Sequence, residues 1–225
     1  MGLLGKGILA FWADIAAGGD AEYNHWHTRE HIPERVGIAG FLRGRRYVAV
    51  SGGPKYLMFY ETEAVETLAS PAYLARLNDP TPWTRRMLPL FRNSNRTVCR
   101  ITLSLGHGTG GAIGTLRLGP LAGREEELRA WLTGTTLPAL IERPGIVGAH
   151  LCEADLSATR VPTEERKLRD REDEVARWVL LVEGTEPDAV EAACRDHLSP
   201  EALGRRGAAG DTVLGVYRLL YCLSR

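Results

Sequence analysis

The spacing of apolar and polar positions changes period several times along the chain, and each change marks an element. Gly7 to Ile15 is a compact apolar run closed by Ala-Ala-Gly-Gly, the pattern of a buried strand and its exit turn. From Asp20 the spacing becomes helical. Positions four apart share a face at about 3.6 residues per turn, so Tyr23, His27 and His31 form one stripe and Trp26 and Glu30 the next. Asp20 is the expected N-cap. Pro33 lacks a backbone donor and biases Ile32 away from helical angles, which predicts that the helix ends or kinks just beyond His31. Phe41 to Val50 and Tyr56 to Glu61 flank a Ser-Gly-Gly-Pro turn and predict an antiparallel hairpin. Helical spacing returns at Val65, Leu68, Ala72, Leu74 and Leu77, interrupted by Pro71. A Pro-Thr-Pro-Trp loop and Arg85-Arg86 then lead to a strand over Val98 to Leu105. The order is β-α-β-β-α-β, the ferredoxin-like unit.

After the glycine-rich linker Gly106-His-Gly-Thr-Gly-Gly111 the pattern starts again. At an offset of 105, Ile8 falls on Ile113, Trp26 on Trp131, Pro33 on Pro138 and Gly40 on Gly145. At an offset of 122, Glu61 falls on Glu183 and Leu68 on Val190, which leaves a 17-residue insertion in the charged stretch Ser157 to Arg177, expected as an exposed loop between hairpin strands. Val213 to Leu223 supplies the last strand. The fold class is therefore α+β, two tandem ferredoxin-like units, residues 1–106 and 107–225. Scaffold residues occur in both copies, but His31 is matched by Thr136, His27 by Leu132 and Tyr23 by Leu128. Chemistry kept in one copy only points to the first unit as the active half and the second as its scaffold.

Composition narrows the partners. Lys plus Arg and Asp plus Glu number 28 each, so bulk charge offers no reason to bind nucleic acid or an anionic membrane. Cys99, Cys152, Cys194 and Cys222 show neither zinc spacing nor a disulfide framework and read as reduced, mostly buried thiols. No segment approaches the roughly 18 consecutive apolar residues of a membrane span, and a cytoplasmic location is expected. The string His27-Thr-Arg-Glu-His31 matches H-x-x-E-H, but the adjacent proline and the lack of a downstream acidic ligand argue against a metal, and none is expected.

The stretch from Tyr23 to Phe41 concentrates the chemistry. A histidine at a helix C-terminus would feel the dipole that favours imidazolium, raising its pKa toward the physiological range and suiting it to proton transfer. His31, Tyr23 and Arg45 are the candidate catalytic residues. Trp12, Asp14, Trp26, His27, Tyr47, Tyr60 and Trp83 are the candidate walls of a pocket for a flat, hydrophobic small molecule, bounded, if the two sheets close on one another, by their inner faces and the helix ends. Packing is the competing role for each, above all for Tyr47, Tyr60 and for Trp83 as a loop anchor.

Trp26-His-Thr-Arg-Glu-His31, followed by Pro33 and by Ala39-Gly-Phe41, resembles the EthD-like branch of the dimeric α/β-barrel superfamily, in which ferredoxin-like units pair their sheets into a barrel around a small pocket. Ala39 stands where that pattern commonly has proline, and Arg143-Pro144-Gly145 restores it in the second half. The resemblance implies a cofactor-independent enzyme of aromatic or polyketide-like metabolism, a monooxygenase, lyase or cyclase. As alternatives it implies a haem protein similar to chlorite dismutase with His150 or His197 as axial ligand, or a binding protein without turnover. A homodimer is the assembly it leaves open.

Overall fold

The computed structural model describes residues 2–169 and 171–225. Eight strands close into one antiparallel barrel: β1 (Gly7–Ile15), β2 (Phe41–Ser51), β3 (Tyr56–Thr62), β4 (Phe91–Gly106), β5 (Ala112–Leu118), β6 (Ile146–Ala154), β7 (Trp178–Gly184) and β8 (Val213–Ser224). The order around the barrel is β1-β3-β2-β8-β5-β7-β6-β4. Each repeat contributes four adjacent strands, and the two sheets meet edge to edge at the seams β2–β8 and β4–β6. Closure within one chain leaves no unpaired sheet edge.

Helix α1 runs from 20 to 36 as an α-helical segment Asp20–Trp26, a π-helical turn His27–His31 and an α-helical segment Ile32–Val36. The helix expected to end or kink just beyond His31 does not end there but passes through Pro33 by way of the π-helical turn. The proline ring would clash with the carbonyl four residues back in an α-turn. Here the preceding turn is widened so that the Ile32 N–H reaches the His27 carbonyl, five residues back. The second repeat has the same device in the same place. Its helix α4 (125–141) carries a π-helical turn at Leu132–Thr136 just before Pro138. Gly40 and Gly145 leave these helices at φ +87° and +81°, a left-handed conformation that a side chain would strain. Asp20 is the first helical residue and not the cap. Its carboxylate accepts from the Tyr56 hydroxyl at 2.8 Å and pairs with Lys55.

The remaining α-helices among the described residues are α2 (Pro71–Asn78), α3 (Pro82–Met87), α5 (Leu156–Thr159), α6 (Glu164–Leu168), α7 (Pro187–His197) and α8 (Pro200–Arg205). Thr81 caps α3, so Trp83 lies on a helix and not in the expected loop. No helix among the described residues is long and apolar enough to cross a membrane. Cys99, Cys152 and Cys194 are buried free thiols and Cys222 is an exposed one.

Alternation along the strands divides the core into three parts. Leu9, Phe11, Met58, Tyr60 and Val98 face outward under the helices of the first repeat. Leu116, Leu151, Leu180 and Val182 do the same in the second. Ile8, Ala10, Trp12, Tyr47, Leu57, Phe59, Val179, Leu181 and Tyr217 fill the barrel itself. Charges share that interior. Arg45, with no exposed surface, donates to Glu183 at 2.8 and 3.2 Å, to the Tyr47 hydroxyl at 2.8 Å, and pairs with Glu61 at 2.9 Å. Burial would raise the pKa of Glu183, but the Arg45 guanidinium overcomes it and holds the carboxyl at about 2. Removing either carboxylate leaves this buried network short of a negative charge in a low-dielectric interior. Glu183→Gln is therefore expected to cost about 3 kcal/mol or more of stability, seen as a lower urea midpoint at an unchanged slope. A midpoint equal to wild type would contradict this account of the barrel core.

Candidate active site

The cavity lies outside the barrel. It is a narrow cleft between the outer face of the first repeat's sheet, helix α1 and the insertion. The expectation of a pocket inside the sheets fails because aromatic side chains and the Arg45 network already fill that interior. Phe11, Met58, Tyr60 and Phe91 form the floor, Trp26, His31 and Arg35 come from α1, and Tyr73 and Leu77 from α2. The roof belongs to the other repeat. Residues between β6 and β7, expected as an exposed loop, fold across the first repeat and present Ala158, Thr163, Glu165, Arg166 and Arg169 to the cavity. Glu165 is buried and forms an ion pair with Arg35, which also bonds Glu34 at 2.8 Å. That pair ties the first helix of one repeat to the insertion of the other.

The π-turn decides which rings meet. It brings His31 against Trp26, with ring centroids 4.4 Å apart, and 5.2 Å from His27. The Trp26 indole N–H donates to Glu30 at 3.0 Å, and Glu30 also accepts from the Thr81 hydroxyl at 2.6 Å, so α3 fixes the indole plane. His31 Nδ1 and the Tyr60 hydroxyl are buried without a hydrogen-bond partner among the described residues. Burial first, and then the nearby Arg35 charge, hold the His31 imidazole well below its ordinary pKa of 6.5. The expectation of a raised pKa at a helix terminus is thus corrected: His31 is inside a continuous helix, beside a cation, and is neutral. Burial keeps the Tyr60 phenol well above its usual pKa, and it stays protonated.

The structure brings His31, Trp26 and Tyr60 to this cavity and separates them from the other candidates. Tyr23 and His27 pack behind it in one aromatic cluster, 5.3 Å apart between ring centroids. His27 has no exposed surface and, among the described residues, no partner for either ring nitrogen. Arg45, Tyr47 and Trp12 are on the opposite side of the sheet, inside the barrel, where the Trp12 indole donates to Thr115 at 3.1 Å. Asp14 accepts from the Lys55 backbone N–H and the Asn93 amide, both at 2.7 Å, and pins the ends of β1 and β4. Trp83 packs edge-on against His25 and donates to Glu22. Sequence reasoning missed Arg35, Arg96, Tyr73 and the insertion residues. Arg35 stands four residues after His31, a signal hidden by the assumption that Pro33 stops the helix.

No protein-family model and no curated protein matches the sequence. Solved structures do match its architecture. An anthrone oxidase-like protein superposes with a TM-score of 0.66 at 15% identity over 97% of this chain and 92% of its own. A protein of Fusobacterium nucleatum with a provisional monooxygenase assignment gives 0.61 at 9% identity over 99% and 96%. One with a provisional chlorite dismutase assignment gives 0.58 at 10% identity over 96% and 95%. The fold is the dimeric α/β barrel. At these identities the likeness is one of fold alone.

Within this α/β barrel the two candidate haem ligands do not fit the group. His150 is fully buried inside the barrel, its Nδ1 2.9 Å from the Ser104 hydroxyl and its Nε2 3.6 Å from Glu183. His197 ends α7 in the second repeat, and neither residue lines the cavity. Among the described residues no three His, Cys, Asp or Glu side chains are grouped to hold a metal ion.

Two neutral histidines, the fully buried His27 and the half-buried His31, also make stability depend on pH. His27 and His31 both have folded pKa values well below 6.5, their ordinary value, so the unfolded chain binds more protons below that pH. Stability is full above pH 6.5 and falls as pH drops beneath it, by up to about 1.4 kcal/mol per pH unit for each histidine. His27→Leu should flatten the fall in Tm between neutral and mildly acidic pH. An unchanged slope would contradict the burial of His27 as a neutral ring.

Proposed function

We propose that the cavity is the active site of a small-molecule enzyme needing no bound cofactor, in which His31 removes a proton from a flat aromatic or polyketide-like substrate. The observation that carries the reading is the pairing of two groups at one aromatic cavity: a neutral, half-buried imidazole whose buried Nδ1 has no partner among the described residues, and a buried protonated phenol, Tyr60, whose hydroxyl has none either. Buried polar groups are rarely left without partners, and a substrate that accepts from one and donates to the other would satisfy both.

The chemistry follows from their states. A phenol or a carbon acid beside a carbonyl, stacked near Trp26, would lose its proton to the neutral imidazole. The negative charge then appears on oxygen, where the Tyr60 O–H donates to it and the Arg35 guanidinium stabilises it through space. The imidazolium, unfavourable in the empty site, becomes favourable beside the new anion. Oxygenation, elimination and ring closure all start from this step. The likeness to an anthrone oxidase-like protein makes anthrone the first probe. Its methylene loses a proton to His31, and the resulting anion reacts with dioxygen to give anthraquinone and water, consuming one O2 per anthrone.

His31→Ala is expected to slow anthrone-dependent oxygen uptake by about a hundredfold or more, and Tyr60→Phe by about tenfold to a hundredfold. Folded His31→Ala that turns over anthrone at the wild-type rate would overturn the assignment. Because the His31 pKa lies well below 6.5, kcat/KM should be flat above that pH and fall only at lower pH as the base is protonated. An acidic limb centred at or above 6.5 would contradict a neutral buried base.

A further inference from the structure

The charges around the cavity are unbalanced in a way the proton-transfer step does not use. Four guanidiniums, Arg35, Arg96, Arg166 and Arg169, and one carboxylate, Glu165, line it. Two of these cations are answered: Arg35 by Glu165 and Glu34, and Arg169 by Asp173 through bonds of 2.7 and 2.9 Å. The other two reach only neutral oxygens among the described residues. Arg96 Nη1 and Arg166 Nη1 both donate to the carbonyl of Thr159, at 3.4 and 3.5 Å, and Arg96 Nη2 donates to the Tyr73 hydroxyl at 3.2 Å. Burial lowers the pKa of Arg169 more than Asp173 restores it, and Arg96 adds a like charge alongside.

We propose that the cavity selects an acidic aromatic ligand, whose carboxylate or comparable anion is held between Arg96 of β4 and Arg166 of α6 while its ring extends inward toward His31. Two forked guanidiniums that line the cavity and converge on one carbonyl oxygen bring donors that an anion would engage in charge-assisted hydrogen bonds. Phe11 and Tyr73 provide an apolar and aromatic wall below them, with the Arg169 guanidinium 5.6 Å above the Phe11 ring. Arg96 comes from the first repeat and Arg166 from the insertion of the second, so substrate choice is assigned to the interface between repeats. The proposal deepens the functional reading, resting on the same cavity, but concerns recognition and not proton transfer.

The test compares 2-naphthoate with its neutral isostere 2-naphthamide by calorimetry on the full chain. Wild type should bind naphthoate about tenfold or more tightly than naphthamide. Arg96→Gln and Arg166→Gln should each bring the two affinities toward equality by weakening naphthoate alone. Raising salt from about 0.05 to about 0.5 M should likewise weaken only the naphthoate complex, a measurement that needs no variant to fold. His31→Ala should keep the preference for the anion even if turnover is lost, so failure of the acid/base reading and failure of this one are separable. Equal affinities in wild type, loss of both ligands alike in the glutamine variants, or no binding of naphthoate would each overturn the proposal.

Discussion

The ion network at Arg45 sets where everything else can be. A guanidinium with no solvent exposure, held between Glu61 and Glu183 and packed over the Phe59 ring, occupies the part of the barrel that would otherwise be open. Such a charge tolerates neither loss of its partners nor an apolar guest beside it. With the interior committed to closing the sheet, the cleft lies on the other side, between sheet and helices. There the cover is a helix with its axis locally widened and an insertion from the second repeat. The Arg35–Glu165 pair fastens that cover from both repeats.

The duplication clarifies which features serve folding and which serve the cavity. Both repeats widen the helix one turn before a proline and leave it through a left-handed glycine, so these are requirements of the unit. The first repeat alone fills the widened turn with two histidines, where the second has Leu132 and Thr136. The widened turn also lets His31 lie against Trp26, a contact five residues apart that a regular helix does not make. A structural solution to an internal proline has in this way been given a ring with an unpartnered nitrogen. Neither repeat is a passive scaffold, because the second one supplies the roof and two of its arginines.

Much of the architecture was legible in the sequence because it depends on local signals. Strand β1 and the hairpin follow from apolar runs bounded by glycine and proline turns, and the offsets between Trp26 and Trp131 or Pro33 and Pro138 reveal the duplication. His31, Trp26 and Tyr60 were also within reach, since a helix stripe and an outward strand position are periodic properties. Which face of the sheet holds the cavity was not. Trp12, Tyr47 and Arg45 have the same local pattern whether they line a pocket or fill a core, and only the closure of eight strands distinguishes the two. The helix continues through Pro33 because the turn before it is widened, a feature that local spacing does not announce, so Arg35 went unseen. The insertion read as solvated charge because its partners, Arg35 for Glu165 and Ser94 for Asp173, are 130 and 79 residues away in the chain.

The proposed site lies outside the barrel, beneath the insertion, with His31 at its wall. A crystal structure of the protein with bound anthraquinone, the oxidation product of anthrone, tests it most directly. The account predicts density for the three rings between Trp26, Tyr60 and the insertion, with a quinone oxygen within hydrogen-bonding distance of the Tyr60 hydroxyl and the His31 ring alongside. Density inside the barrel against Arg45 and His150, with the cleft at His31 empty, would contradict it.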